Sequence, residues 1–278
     1  MTKPSMLFSI DLEDIRDFIP DGHQYQERVP ENVTAYLSFL SDIGGHGTFF
    51  TVGKTARKYP GLIRDIIAEG HEIGCHSDVH KTLQHLTPES FRKDLSDNIE
   101  SIMQAGRTDI SGFRAPVFSM TKDTVWAYKI MKSCGLKYSS SVLAAKNPLF
   151  GWHGFGSHFR YMDGILEMPI TLCPKPLPSV PLAGGVYFRM LPFRIIRYAG
   201  KSLAKKQIPL QSYLHPFDID TKQERFMQPD IKNNKFFNYL MYLGRSRALR
   251  KLELLSHDFA FLSYQKYLTL KDREALHV

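Results

Sequence analysis

The chain has 278 residues, 43% of hydrophobic type, which is enough to bury a large core and far from the composition of disorder. The length allows two domains of roughly 150 residues or one α/β barrel of about 250. A net charge of +8 suits an anionic partner but identifies none, and no nucleic-acid recognition motif accompanies it. Three widely spaced cysteines, Cys75, Cys134 and Cys173, exclude a disulfide framework and a cysteine-only zinc site, and fit reduced thiols. The first apolar run reaches Asp11, too early for a signal peptide, and no later stretch approaches about 20 apolar residues. These features predict a cytoplasmic protein without a membrane span.

Met6 to Ile10 reads as a buried strand that stops at carboxylates. Glu31 to Ile43 carries Val33, Tyr36, Leu37 and Leu40 on one helical face and ends at Gly44-Gly45. Thr48 to Val52 is a second strand, Ala56 to Ala68 a helix, and His71 to Cys75 a third strand. Thr87-Pro88 supplies a capping residue and a first-turn proline for a helix to about Ala105. A strand ending at Phe113 and a helix over Thr121 to Cys134 follow. The rhythm fails from Ser139 to Gly185, where only Ile165 to Ile170 looks like a strand; an irregular loop region of about 139–190 over one mouth of the fold is expected. A helix near Leu191 to Ala204, a strand at Pro209 to Leu214, a helix from about Asn233 to Leu255 and a strand at Phe259 to Leu262 complete the chain before a charged tail. Strands alternating with helices predict parallel strands covered by helices, as an α/β barrel or an open doubly wound sheet within a single domain, 1–278.

Two clusters stand out. Asp11-Leu12-Glu13-Asp14 packs three carboxylates into four residues, which repel unless a cation neutralises them. His76 and His80 lie four apart, a spacing at which a helical turn offers two nitrogens to one ion. Each cluster follows a predicted parallel strand, so both fall on the same mouth. One carboxylate with two imidazoles is the donor count of a catalytic metal site, and a second carboxylate could deprotonate a water.

The chain resembles the polysaccharide deacetylases of carbohydrate esterase family 4, in the branch whose first motif reads Asp-x-Glu-Asp and which accompanies bacterial exopolysaccharide and O-antigen loci. The ordered matches are Ser9-Ile10-Asp11-Leu12-Glu13-Asp14; His46 to Gly53; Gly70 to His76 with His80; Phe113-Arg114-Ala115-Pro116; Leu166-Glu167-Met168-Pro169; Gly184-Gly185-Val186-Tyr187-Phe188-Arg189; and Tyr213-Leu214-His215-Pro216. The resemblance implies a distorted (β/α) barrel of about seven parallel strands with its site at their carboxyl ends. It implies Asp11 as catalytic base, Arg114 as the arginine that orients it and His215 as general acid. It also implies one divalent metal, zinc with Co2+, Mn2+ or Ni2+ as alternatives, held by His76, His80 and a carboxylate. Asp14 is favoured for that carboxylate, with Glu13 as the alternative, on the expectation that the later carboxylate turns inward. The implied reaction removes an N-acyl group from an amino sugar of a surface polysaccharide or its precursor. A non-sugar amide substrate, as in allantoinase-like relatives, and a catalytically inactive carbohydrate-binding protein are the rival readings.

Other residues carry open alternatives. Glu167 either raises the pKa of His215 or only ends its strand, and Asp218 and Asp220 are expected to cap loops. Trp152, His153, Phe155, His158 and Tyr161 either stack on sugar or form the loop's own core. The basic amphipathic segment Arg189 to Lys206 either rests on an anionic membrane or covers the sheet with its apolar face.

Overall fold

The fold grows outward from one apolar strand. In the computed structural model, which describes residues 3–276 except 107, 147–149, 175–178, 230 and 232, β1 (Ser5–Leu12) is buried from Met6 onward. Helix α1 (Val29–Asp42) lays Val33, Tyr36, Leu37 and Leu40 against the sheet, and leads into β2 (Thr48–Thr51). The expected helix over Ala56 to Ala68 is two, α2 (Gly53–Lys58) and α3 (Pro60–Ala68). Pro60 disfavours helical geometry at Tyr59, which sits at φ −126°, ψ 58°. Strand β3 (Glu72–Cys75) follows, then α4 (Pro88–Ala105), opened as expected by Thr87, whose hydroxyl accepts from the Ser90 amide. Then come β4 (Gly112–Phe113), α5 (Trp126–Ser133) and β5 (Tyr138–Ser139).

The region read as irregular holds the one strand expected there, β7 (Ile165–Glu167), shorter than read, and also β6 (Arg160–Met162), β8 (Ala183–Gly184) and α6 (Gly185–Met190). Strands of two or three residues are too short to leave a period in a sequence. Helix α7 (Phe193–Ala204) and β9 (Leu210–Leu214) follow as expected. The helix read over Asn233 to Leu255 is interrupted, leaving α8 (Lys235–Leu240) and α9 (Ala248–Ser256), with Gly244 between them at φ +73°. After β10 (Ala260–Leu262), the charged tail is itself a helix, α10 (Tyr264–Leu276).

The sheet runs β6-β7-β5-β4-β3-β2-β1-β9-β8, with β10 added to the start of β1. Every pairing is parallel except β6 with β7. The sheet curls into a distorted, incompletely closed (β/α) barrel. Across the gap between β7 and β9 the contact is made by side chains: Gln211 Nε2 donates to the Pro169 carbonyl (2.7 Å) and Thr171 Oγ1 accepts from the Gln211 amide (3.1 Å). Parallel pairing puts Glu13 and Asp14 after β1, His76 after β3, Arg114 after β4 and His215 after β9 at one mouth.

Helix α7 answers the question raised by its basic stripe. Ile196, Ala199, Gly200 and Leu203 are buried, and Arg197 and Lys201 both reach Asp258. Its apolar face covers the barrel, and its charges face water.

Close packing under the site sets a stability test. A Cβ on Gly112 would lie 2.1 Å from the Tyr138 ring, whose hydroxyl is fixed by a 2.6 Å bond to buried Glu72. Gly112→Ala should destabilise the protein by about 1–3 kcal/mol through overpacking, read as a lower urea midpoint with unchanged slope. An unchanged midpoint would contradict this packing.

Candidate active site

Three carboxylates leave β1 and take three different directions, all nearly buried. Asp11 Oδ1 lies 2.6 Å from Arg114 Nη1. The fully buried Arg114 spends its remaining donors on Ser9 Oγ, the Ser140 carbonyl and hydroxyl, and the Tyr264 hydroxyl, and its guanidinium lies 4.1 Å from the Phe50 ring centroid. Asp11 therefore has its charge neutralised and its orientation fixed.

Glu13 faces the imidazoles. Ligand atoms of Glu13, His76 and His80 lie within 4.8 Å of one another, close enough for one ion to bridge them. Glu13 Oε2 sits 2.8 Å from His80 Nε2, yet this buried oxygen accepts no well-aligned hydrogen bond. Burial would raise the Glu13 carboxyl, but His80, His215 and His76 hold it down at about 2. His76 Nδ1 lies 2.7 Å from the Arg114 carbonyl, so this ring nitrogen carries the proton and Nε2 keeps its lone pair. Burial pushes His76 down to about 4, leaving the neutral imidazole that ligation requires. An orphaned carboxylate oxygen beside two imidazoles, one with a fixed tautomer, is the donor chemistry of a divalent-metal site.

Asp14 points elsewhere, and the expectation that it turns inward is corrected. Its carboxylate is held by Arg16 (2.6 Å), Lys58 (3.0 Å) and the Tyr59 hydroxyl (3.1 Å), and it caps the turn over Ile15–Phe18 through the Arg16 amide. The break at Pro60 brings Lys58 and Tyr59 to it. Burial would raise the Asp14 carboxyl, but its partners hold it below the ordinary range.

His76 and His80 meet, with ring centroids 5.0 Å apart, but not on a helical turn. The loop between them is irregular, with Ser77 and His80 at φ +67° and +59°. Asp94 fixes it from α4 by accepting from the Ser77 hydroxyl and the Asp78 amide, both at 3.1 Å, while the Phe18 ring packs at a tilt against His80, with centroids 4.6 Å apart. The next strand exit is strained too: Val117 and Phe118 both have positive φ, unfavourable above all for a β-branched residue.

His215 follows β9. Its Nδ1 lies 2.9 Å from Asp218 Oδ2, which also accepts from the His215 amide at 2.8 Å, and its ring stacks on Phe217 at 4.7 Å. Nε2 is left toward the cleft, 4.0 Å from Glu13 Oε1. Asp218 Oδ1 in turn lies 2.9 Å from buried Arg189 Nε. Burial alone would lower the His215 imidazole, but Asp218, with Glu13 and Asp11, raises it to about 9. The partner of His215 is thus Asp218 and not Glu167, whose carboxylate binds the Ser141 and Val142 amides and the Tyr128 hydroxyl. Asp218 caps its loop as expected and orients the imidazole as well. The Asp at i+3 after His-Pro was the available signal.

Asp11, Glu13, His76, His80 and His215 line one cleft of about 690 Å³, whose wall includes Phe118, Tyr187 and Tyr213. Gly184 fits against Tyr213 because a Cβ there would come within 1.9 Å of its ring. Of the loop aromatics, Phe155 is buried in the main core with Trp152 packed against it, and Tyr161 is exposed.

Barrel and site together define a protein whose carboxylates and imidazoles converge at the carboxyl ends of parallel strands. Over less than half of its length the chain matches the polysaccharide deacetylases of carbohydrate esterase family 4. The polysaccharide deacetylase family model matches residues 20–139, and a domain of unknown function (DUF3473) matches residues 140–269. The chain is 32% identical over 85 residues to the peptidoglycan-N-acetylmuramic acid deacetylase PdaC of Bacillus subtilis, a match covering 31% of this chain and 17% of that protein. It is 31% identical over 88 residues to a chitooligosaccharide deacetylase of Azorhizobium caulinodans, covering 31% of this chain and 42% of the relative. The match thus spans less than half the length of either relative. Among solved structures, a provisionally assigned polysaccharide deacetylase from Mycobacterium smegmatis superposes with TM-score 0.63 at 19% identity, over 98% of this chain and 91% of that one. A family pseudoenzyme from Bacillus anthracis superposes with TM-score 0.51 at 11% identity, over 95% of this chain and 64% of its own. These likenesses show the fold alone.

Glu13 and Asp14 can be separated experimentally. Glu13→Gln should weaken zinc binding, measured by competitive titration, beyond the roughly 100-fold typical of losing an outer partner. Asp14→Asn should keep zinc affinity within about tenfold while lowering the urea midpoint, because it removes the buried carboxylate that Arg16 and Lys58 share and leaves them only the exposed Glu27. The opposite pattern would make Asp14 the ligand.

Proposed function

We propose that the protein is a metal-dependent hydrolase that removes an N-acyl group, N-acetyl foremost, from an amino sugar of a bacterial surface polysaccharide or its precursor. The observation that carries this reading is the convergence, in one cleft, of the Glu13-His76-His80 donor set with a charge-paired carboxylate and a charge-paired imidazole. Glu13, His76 and His80 would hold the ion, zinc by its nitrogen and oxygen preference. The chemistry such an ion supplies is polarisation of an amide carbonyl and acidification of water.

The chain's own groups do the rest. Asp11 accepts the proton of the attacking water, and Arg114 keeps it ionised and aimed. His215, protonated over a wide pH range by its pairing with Asp218, gives a proton from Nε2 to the departing nitrogen, which leaves poorly as an anion. Phe118, Tyr187 and Tyr213 offer apolar and aromatic faces to a sugar ring. Retention of Asp11, Glu13, His76, His80 and His215 supports an active enzyme over a binding protein that kept the fold. The three free cysteines support a reducing, cytoplasmic setting, and no described helix is long and apolar enough to cross a membrane.

Acetate release from N-acetylglucosamine oligosaccharides by the zinc-loaded protein tests the reading. His215→Ala should lose roughly 10²–10⁴ in turnover while keeping zinc. Because His215 must be protonated to act, its raised pKa carries activity toward alkaline pH. Asp218→Asn removes the main support of that protonated form, so the alkaline limb should move down, toward the ordinary histidine range near about 6.5. Near-normal turnover of His215→Ala, or an unmoved limb in Asp218→Asn, would remove His215 as the acid.

A further inference from the structure

The segment between Phe226 and Arg245 leaves the barrel, forms α8 and returns. Gln228, Pro229, Ile231 and Met241 at its base line the cleft. Its inner face is stapled: Asn238 Oδ1 accepts from the Gln228 amide (2.9 Å), Asn238 Nδ2 donates to the Phe226 carbonyl (3.1 Å), and the Tyr242 hydroxyl donates to that carbonyl (3.0 Å). Asn234 caps the helix by accepting from the Phe236 and Phe237 amides. The excursion is therefore held together by its own hydrogen bonds.

That outer face is unusual. No residue of α8 is buried, and Phe236, Phe237 and Tyr239 are 64%, 53% and 51% exposed. Three of the most exposed large apolar side chains thus fall within six consecutive residues. The surrounding sequence is basic: residues 225–250 hold Arg225, Lys232, Lys235, Arg245, Arg247 and Arg250 against a single acid, Asp230. Arg225, Lys235 and Arg247 are exposed, with no carboxylate partner among the described residues. Met190, 48% exposed, ends α6 on the same side of the barrel, where Arg189 meets the Leu243 carbonyl. Arg245 is buried and Arg250 pairs with Glu253, which leaves Arg225, Lys235 and Arg247 as the exposed cations close in the chain to these rings. Exposed aromatic side chains with cations beside them in the chain match the headgroup region of an anionic bilayer, where apolar rings enter the interface and cations meet phosphate. Helix α7 lacks this combination, because its apolar face is buried and two of its cations are paired with Asp258.

We propose that α8 is an interfacial docking element that seats the protein on an anionic phospholipid bilayer, with the mouth of the cleft beside the membrane surface. This does not depend on the catalytic reading. A single short helix with three rings gives reversible binding, strengthened by the cations and weakened by salt.

Co-sedimentation with vesicles tests it, using the full chain. Phosphatidylcholine vesicles containing phosphatidylglycerol should pellet the protein, pure phosphatidylcholine should pellet far less, and high salt should release it. The double variant Phe236→Ser/Phe237→Ser, whose side chains support no core, should keep its melting temperature and lose on the order of tenfold or more in partitioning. Lys235→Glu/Arg247→Glu should weaken binding to anionic vesicles selectively. Tyr198→Ser on α7 should change nothing. Failure of the wild type to bind anionic vesicles overturns the proposal. So does equal binding by the Phe236/Phe237 variant, or loss of binding in Tyr198→Ser.

Discussion

Burying three carboxylates within four residues at the end of one strand is the constraint on which the rest of this structure depends. Each must find positive charge or a hydrogen-bond donor, and one cation cannot serve all three. Asp11 takes Arg114 from the exit of β4, Asp14 takes Arg16 and Lys58, and Glu13 takes the imidazoles after β3. The three settings fit neighbouring carboxylates to the three tasks proposed for them: proton acceptor, metal donor and structural cap. Glu13 and Asp14 carry the same carboxylate charge, and their surroundings set them apart.

The scaffold that keeps these settings apart is stiff. Arg114 has five N–H donors and all five are used, inside a barrel where water cannot replace a lost partner. Breaking such a buried pair costs about 3–5 kcal/mol, far more than the pair adds over an apolar alternative, so the arrangement favours a fixed geometry over raw stability. The left-handed backbone at Ser77, His80, Val117 and Phe118 belongs to the same pattern, with strain concentrated where strands end and cleft residues begin. The Arg189-Asp218-His215 chain repeats the logic on the opposite wall.

The parallel strands with long partners were legible because apolar runs and helical faces are periodic: β1, β2, β3, β9, α1 and α4 fall close to where alternation and capping put them. The break at Pro60 was readable in principle, since a proline inside an apolar-periodic run displaces the residue before it. Strands such as β5 and β8, with two residues each, leave no periodic trace and exist only through pairing. At the site, motif order carried Asp11, His76, His80 and His215 to a single cleft, with Arg114 buried behind Asp11. The reversal of Glu13 and Asp14 was not legible, because it is set by Lys58 and Tyr59, 44 and 45 residues away from Asp14 in the chain. Strand alternation cannot describe a chain that turns directly after Leu12. The exposure of α8 was hidden for a similar reason: an apolar helix pattern does not say whether its face meets a core.

The most direct test of this division of labour is a crystal structure of the zinc-soaked protein with anomalous difference maps collected at the zinc edge. The account predicts one strong peak about 2.0–2.2 Å from a Glu13 carboxylate oxygen and from a ring nitrogen of each of His76 and His80, with Asp14 still on Arg16 and Lys58. A peak bonded to Asp14, or no ordered peak between Glu13 and the two histidines, would contradict it.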